Sequence, residues 1–254
     1  MTDATTATAA MFDDLEAEQD RLEAILDGLD DAAWRSPSAA EGWSVCDVVL
    51  HLAQSNEATL ASAAGDDSFG RLRNQPNQPA GVDDAAEQLV RAERAEPAAV
   101  FDRWRAASRA ALAALRRLDP QQRLRWVAGS LKPGTLATTR LAEQWAHGLD
   151  ITGPLGIPFP DTDRLRHIAW LAHGTLPYAF ALAGDDPHDV YCQLTGPAGE
   201  TWRYGPPGAD SAITGSAGAF CRVGAQRLAP EDSGLVATGP HGEAALGVLR
   251  TYAG

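Results

Sequence analysis

The sequence is short of the basic residues that mark nucleic-acid-binding and membrane-surface proteins. Its 254 residues include 21 Lys and Arg against 34 Asp and Glu, which gives a net charge of −13, and Lys132 is its only lysine. Nucleic acids and anionic membranes are bound through clustered Lys and Arg. We therefore expect neither nucleic acid nor a membrane among the partners.

Cysteine is also scarce. Cys46, Cys192 and Cys221 are odd in number and far apart, and they form no CxxC pair. This spacing argues against a disulfide framework and against a cysteine-rich metal site. Cys46 could be reactive, but a small buried residue is the more frequent role for a cysteine.

Long apolar runs are missing as well. No stretch approaches the length of a membrane span, and residues 1–10 lack the basic region and apolar core of a secretory signal. We expect these residues to be a short disordered lead-in and the protein to be cytoplasmic. The 44% hydrophobic and 22% charged content is that of an ordinary globular protein, long enough for one large or two medium domains.

Apolar residues at helical spacing predict four long helices in the first part of the chain. They span about 10–29, 44–64, 97–118 and 135–153, and Ser44 with Asp47 suggests a capping box at the start of the second. The polar stretch 65–84, with an Asn/Gln/Pro insert at 74–79, could cross over the helices or cover a pocket as a lid. Four helices with one long crossover predict a four-helix bundle.

After residue 156 the pattern changes to that of a small α+β domain. The boundary lies near 155–162, so we divide the chain into domains 1–157 and 158–254. The predicted elements are a helix over 162–183, a hairpin of strands 190–196 and 201–204, a helix over 215–228, a strand over 235–238 and a helix over 242–252.

The most informative residues are one glutamate and two histidines in the predicted helices. Glu143 and His147 lie four residues apart, so both side chains leave the same helix face, and His51 lies on the second helix. Two imidazoles and a carboxylate can hold Zn²⁺ or a similar divalent ion and leave a coordination position open for chemistry. The alternative is a hydrogen-bonded core histidine and a surface Glu–His pair. Neighbouring Trp and Leu residues should bury this face, and buried ionisable groups need partners that a shared cation would supply.

Four further residues near these positions each have two interpretations. Trp43 and Trp145 could line a pocket beside the metal or simply pack in the core. Arg140 could bind a substrate carboxylate, or it could be solvated or salt-bridged. Asp150, three residues after His147, could orient the imidazole or lie on the helix surface.

Two segments carry a family resemblance. EGWSVCDVVLHLA at 41–53 and TTRLAEQWAHGLDI at 138–151 resemble the metal-binding signature of the DinB-like, mycothiol-dependent maleylpyruvate isomerase superfamily. The resemblance implies a DinB-like four-helix bundle that binds a divalent metal, usually zinc, through His51, Glu143 and His147. It also implies a C-terminal α+β domain similar to sterol-carrier proteins, which residues 160–254 fit. The two segments also resemble an actinobacterial subgroup described mainly as metal-binding proteins.

The resemblance further implies a metalloenzyme with mycothiol as the thiol and a small unsaturated acid as the substrate. A metal-bound thiol loses its proton near neutral pH and could add to an electron-poor double bond, giving isomerisation or thiol transfer. An arginine of the C-terminal domain, Arg222 or Arg227, would act on the substrate carboxylate. The alternatives are a metal-water or Lewis-acid hydrolase, lyase or cyclase of a specialised pathway, and a non-catalytic metal-binding protein. We expect a monomer or a homodimer.

Overall fold

The computed structural model describes residues 2–66, 81–127 and 129–252, with side chains from residue 9 onward. The chain divides into two units between Phe159 and Pro160. Most of the predicted crossover or lid at 65–84, including the insert at 74–79, lies outside the described residues. None of the described helices is both long and apolar enough to cross a membrane.

The first unit is helical apart from one short antiparallel hairpin. The expected disordered lead-in is wrong from Thr2 onward, because the first helix already begins there in a stretch rich in alanine, the strongest helix former. In chain order the elements are α1 (Thr2–Asp27), α2 (Asp31–Arg35), α3 (Val45–Ala63), α4 (Val82–Ala92), α5 (Pro97–Arg117), β1 (Leu124–Trp126), β2 (Gly129–Leu131) and α6 (Pro133–Leu155).

The four long helices predicted from apolar spacing are α1, α3, α5 and α6. Helix α3 packs along α5, and α1 packs along α6. The apolar side chains between them are buried, among them Leu22, Leu26, Val48, Leu52 and Trp104. Helix α4 and the β1–β2 hairpin were not predicted: α4 begins inside a polar stretch, and three-residue strands are too short for an alternating pattern to be recognised.

The start of α3 is set by local hydrogen bonds. The Ser44 hydroxyl accepts from the backbone N–H of Asp47, and the Asp47 carboxylate accepts from the N–H of Ser44, so the predicted capping box is confirmed. Arg94, which follows α4, donates two hydrogen bonds of 2.8 and 3.0 Å to the same carboxylate. Arg103 on α5 makes a similar pair, at 2.7 Å each, with Glu57 on α3. These contacts hold α3, the helix that carries the candidate metal ligand His51, against its neighbours.

Helix α6 requires glycine at position 148 because an aromatic ring fills the space beside it. A Cβ atom there would lie 2.6 Å from Cζ of Phe159, and this ring also lies 3.5 Å from the Arg21 guanidinium. We expect Gly148→Ala to displace the ring and to lower the free energy of unfolding by about 1–3 kcal/mol.

The matched control for this substitution is Gly153→Ala in the same helix. Outside the two adjacent residues, an added Cβ meets nothing within 4 Å at that position, so apart from the strain that Pro154 places on the residue before it, the change should cost clearly less than Gly148→Ala. Urea denaturation of both variants measures the difference. Equal effects would show that Phe159 does not constrain α6.

The second unit is a four-stranded sheet with helices. Its elements are α7 (Leu165–Gly174), α8 (Leu176–Leu182), β3 (Val190–Thr195), β4 (Thr201–Tyr204), β5 (Ser211–Ser216), α9 (Ala217–Gly224), a 3₁₀ turn (Pro230–Asp232), β6 (Val236–Thr238) and α10 (Gly242–Val248). The strand order is β4-β3-β5-β6. The predicted hairpin is confirmed as the antiparallel pair β3–β4, whereas β3 and β5 run parallel.

Three sequence predictions for this unit need correction. The single helix over 162–183 is two helices, because Pro177 at the start of α8 has no N–H to continue α7. The helices predicted over 215–228 and 242–252 are shorter, as α9 and α10. Strand β5 was missed, since its sequence Ser-Ala-Ile-Thr-Gly-Ser is poor in strand formers and depends on pairing with β3 and β6.

Candidate metal centre

Helices α3 and α6 bring the three predicted ligands together. The carboxylate oxygen Oε2 of Glu143 lies 3.5 Å from Nε2 of His51 and 3.5 Å from Nε2 of His147. The two imidazole rings meet edge to face, with centroids 4.9 Å apart. The spacing of four residues on α6 and the packing of α3 against α6 therefore place all three donor atoms around one point.

The donor geometry fits a divalent metal ion. Tetrahedral ligands at about 2.1 Å from zinc lie about 3.4 Å from one another, close to the 3.5 Å that separates the Glu143 oxygen from each histidine nitrogen. All three donor atoms lie within 4.8 Å of one another, and no other group of three His, Cys, Asp or Glu residues among the described ones does so. The side chains of His51, Glu143 and His147 are 19%, 24% and 12% exposed, so a further ligand can reach the group.

Asp150 fixes the orientation of His147. Its carboxylate oxygen lies 2.9 Å from Nδ1 of the imidazole, and the Asp150 residue is only 2% exposed. With Nδ1–H donating to this carboxylate, the ring presents the lone pair of Nε2 toward Glu143. A carboxylate behind a ligand histidine is a common device for fixing the ring and strengthening the ligand.

The charge states of Glu143 and His51 suit cation binding, whereas at neutral pH a cation must displace a proton from His147. Burial opposes ionisation of Glu143, but hydrogen bonds with His147 and His51 and the charge of Arg140 outweigh it, so the pKa of Glu143 lies well below its usual range. Burial lowers the pKa of His51. Burial also acts against protonation of His147, yet its hydrogen bonds with Asp150 and Glu143 prevail and raise the pKa of His147 to about 8.

The two tryptophans occupy different environments. The Trp43 ring is partly buried and lies 5.2 Å from the His51 ring, so it adjoins the candidate ligands while also packing on the hydrophobic core. Trp145 lies between Glu143 and His147 in sequence but is only 2% exposed. Its burial favours core packing over contact with a substrate.

Arg140 is neither solvated nor paired with a carboxylate among the described residues. The residue is 7% exposed. One terminal nitrogen donates to the Ser55 hydroxyl, Nε lies 3.4 Å from the Thr139 hydroxyl, and the guanidinium lies 4.7 Å from the centre of the Trp126 ring. A charged group is thus held beside Glu143 by neutral partners.

The two C-terminal arginines have partners within the second unit. Arg222 donates to both carboxylate oxygens of Asp161, at 2.9 and 2.8 Å. Arg227 donates to the backbone carbonyl of Ala225 at 2.7 Å. The ion pair of Arg222 was not anticipated from the sequence.

Comparison with known proteins assigns the family. The sequence model described as "Mycothiol maleylpyruvate isomerase N-terminal domain" matches residues 15–152, more than half of the chain. The chain belongs to this family. All three candidate ligands, with Arg140 and Asp150, fall inside the matched region, whereas Arg222 and Arg227 fall outside it.

Similar proteins cover almost the whole chain. The uncharacterized proteins MT0041 and Rv0036c of Mycobacterium tuberculosis are each 34% identical over 245 residues, which is 95% of this chain and 94% of each relative. The crystal structures of the mycothiol-dependent maleylpyruvate isomerase and of a point mutant of it share the fold. Each has a TM-score of 0.61 and 15% identity, and covers 91% of this chain and 92% of the isomerase chain.

Two residues that contact Arg140 were not predicted from the sequence. Ser55 is four residues after His51, so helical spacing could have placed it on the ligand face. Trp126 had no such signal, because it lies in a short hairpin that reaches Arg140 only through tertiary contact. For Asp150, the contact with His147 supports an orienting role over a surface position.

Proposed function

We propose that this chain is a zinc-dependent enzyme that activates mycothiol, a low-molecular-weight thiol, for isomerisation of a small unsaturated substrate or for thiol transfer to it. The family assignment supports the thiol and the class of reaction. The observation that carries the proposal is the group of His51, Glu143 and His147, with donor atoms within 4.8 Å and side chains that remain partly exposed.

The ligand set is suited to a thiolate. Zinc bound here would stabilise the deprotonated form of an incoming thiol near neutral pH. The two imidazoles are neutral when they act as ligands, so Glu143 supplies the only negative charge among the three. Asp150 holds the His147 ring in place behind them. The site therefore cancels one of the two charges of a divalent ion and favours an anion in the open position.

A thiolate nucleophile requires a substrate with an electron-poor double bond. The thiolate sulfur would form a bond to the electron-poor carbon of a cis double bond, and the π electron pair would move onto the conjugated acceptor group, which leaves a single bond that can rotate. Return of the electron pair after rotation expels the thiolate, which restores the double bond in the trans form and regenerates the thiolate. Protonation of the adduct instead leaves a thioether, the product of thiol transfer.

For the rest of the molecule, we propose that the first unit is a DinB-like four-helix bundle and the second a sterol-carrier-like domain. We also propose that the second unit contributes Arg222 or Arg227 to the reaction. To bind a substrate carboxylate, Arg222 would have to exchange its Asp161 partner for it, which a bidentate guanidinium can do without a change in charge.

A cobalt-substituted protein tests the thiol directly. Titration with mycothiol should produce a sulfur-to-metal charge-transfer band, and S-methylated mycothiol should not, because a thioether cannot become a thiolate. If mycothiol leaves the spectrum of the bound cobalt unchanged, thiol activation is refuted and the metal-water alternative replaces it.

A further inference from the structure

Arg140 differs from Arg94 and Arg103, two other arginines of the first unit. Arg94 and Arg103 each donate two hydrogen bonds to one carboxylate. Arg140 is more deeply buried than either and has only hydroxyl and aromatic partners. Correspondingly, carboxylate partners raise the pKa of Arg94 and Arg103, whereas burial lowers the pKa of Arg140.

Burial of the Arg140 guanidinium costs free energy unless an anion pairs with it. A guanidinium stays charged in a protein, and a buried charge without an ionic partner is strongly disfavoured. The nitrogen Nη2 of Arg140 has no hydrogen-bond partner among the described residues, since the contacts of this side chain are made by Nε and Nη1. Glu143 interacts with it electrostatically, but that carboxylate points to His51 and His147. One donor edge of the guanidinium is therefore left for a ligand.

The free donor edge of Arg140 lies close to the candidate metal centre. Arg140 precedes Glu143 by three residues on α6, and its partner Ser55 follows His51 by four residues on α3. The Arg140–Ser55 contact is thus about one helical turn, ~5.4 Å along the axis, from the His51–Glu143 contact. A carboxylate held ~2.8 Å from a guanidinium would place an adjacent double bond within this interval.

We infer that Arg140 is the carboxylate-binding residue of the substrate site, and that it selects small acids whose double bond adjoins the carboxylate. The inference rests on the proposed function for the identity of the reacting group. It differs from the arrangement that the family resemblance implies, in which a C-terminal arginine binds the carboxylate. For a dicarboxylate, Arg140 would bind the carboxylate next to the metal and leave the second one to the C-terminal unit.

The Trp126 ring and the hydroxyls of Ser55 and Thr139 hold the Arg140 guanidinium in position without a carboxylate. The ring supports one face of the planar group through a cation–π contact. Ser55 and Thr139 accept hydrogen bonds from Nη1 and Nε. The planar group is therefore oriented while its charge remains available.

The test measures binding of two probes to the zinc-loaded full chain by calorimetry. Maleate carries the carboxylates next to a cis double bond, and maleamide is its neutral diamide. Arg140→Gln should weaken maleate binding by about 10- to 100-fold, the loss expected for charge-assisted hydrogen bonds, with zinc content and maleamide binding unchanged. Arg91→Gln is the matched control, because Arg91 is an exposed arginine of the same unit paired with Glu87, and it should leave maleate binding unchanged.

Unchanged maleate affinity in zinc-loaded Arg140→Gln, or no maleate binding to the wild-type chain, would overturn the inference. If Arg140→Gln does not fold, Arg140→Lys decides, because lysine keeps the charge but loses the planar fork. Weaker binding of maleate to Arg140→Lys, with binding of maleamide unchanged, supports the inference. Equal binding of maleate to the wild type and to Arg140→Lys overturns it. If mycothiol leaves the cobalt spectrum unchanged while maleate binding still depends on Arg140, the proposed function is refuted. The carboxylate site is then still supported.

Discussion

His147→Ala is expected to abolish zinc binding. Purified wild-type protein supplied with zinc should carry close to one ion per chain, and the variant close to none. The reason is that alanine removes one of the three candidate ligand side chains, and also the one that Asp150 orients. Elemental analysis after exhaustive removal of free zinc measures the outcome.

Two controls separate ligation from general damage. Asp150→Asn keeps all three ligands but weakens the orientation of His147, so zinc affinity should fall by about 10- to 100-fold while the stoichiometry at saturation stays near one. His188→Ala removes a histidine of the second unit and should not alter zinc content. Zinc retained in His147→Ala, or no zinc in the wild type, would show that the metal site is assigned wrongly.

The pH dependence of zinc affinity checks the same assignment. In the metal-free protein the pKa of His147 is about 8, so below that pH zinc must displace a proton to reach the imidazole. The apparent affinity should fall by about tenfold for each pH unit below 8 and level off above it. Competition with a chelating dye measures this. In Asp150→Asn the affinity should level off at a lower pH, because the hydrogen bond that His147 donates to Asp150, which raises the pKa of His147, is weakened.

A chain ended after Phe159 is expected to keep zinc but lose turnover. All three candidate ligands lie in the first unit, which ends at this residue, so helicity and zinc content should persist. Cutting at Leu155 instead would remove Phe159, which packs against Gly148 and Arg21. If the second unit contributes Arg222 or Arg227 to the reaction, mycothiol-dependent isomerisation of a cis-unsaturated acid should fall to background.

Circular dichroism, zinc analysis and the turnover assay together measure this outcome. Arg222→Ala and Arg227→Ala in the full chain serve as the matched comparison, since they remove the arginines without removing the unit. Full turnover by the shortened chain would exclude the second unit from the mechanism. Loss of zinc from it would show that the first unit does not fold by itself.

The features that the sequence predicted well depend on short-range interactions. The capping box of Ser44 and Asp47 is confirmed because both partners lie within one turn. The long helices follow from apolar spacing, and the β3–β4 hairpin from two strand patterns joined by a tight turn. Glu143 and His147 share a face for the same reason: four residues span about one helical turn.

Other features depend on contacts between distant segments. Strand β5 exists through pairing with β3 and β6, and the β1–β2 hairpin brings Trp126 to Arg140. Such pairings leave no local pattern in the sequence, so β5 and both strands of the β1–β2 hairpin were missed. The interpretation of Arg140 as solvated or salt-bridged failed for the same reason, because the Ser55 hydroxyl that it contacts lies 85 residues away.

By itself the sequence determined the long helices, the identity of the three candidate ligands and the family, because each is encoded in residues a turn or two apart or in two short segments. Only the tertiary structure decided that His51 meets Glu143 at 3.5 Å, that Asp150 points inward to His147, and that Arg140 is buried among neutral partners. Burial and through-space contact depend on which helix faces pack together. That choice is made by the free energy of the whole core rather than by any one segment.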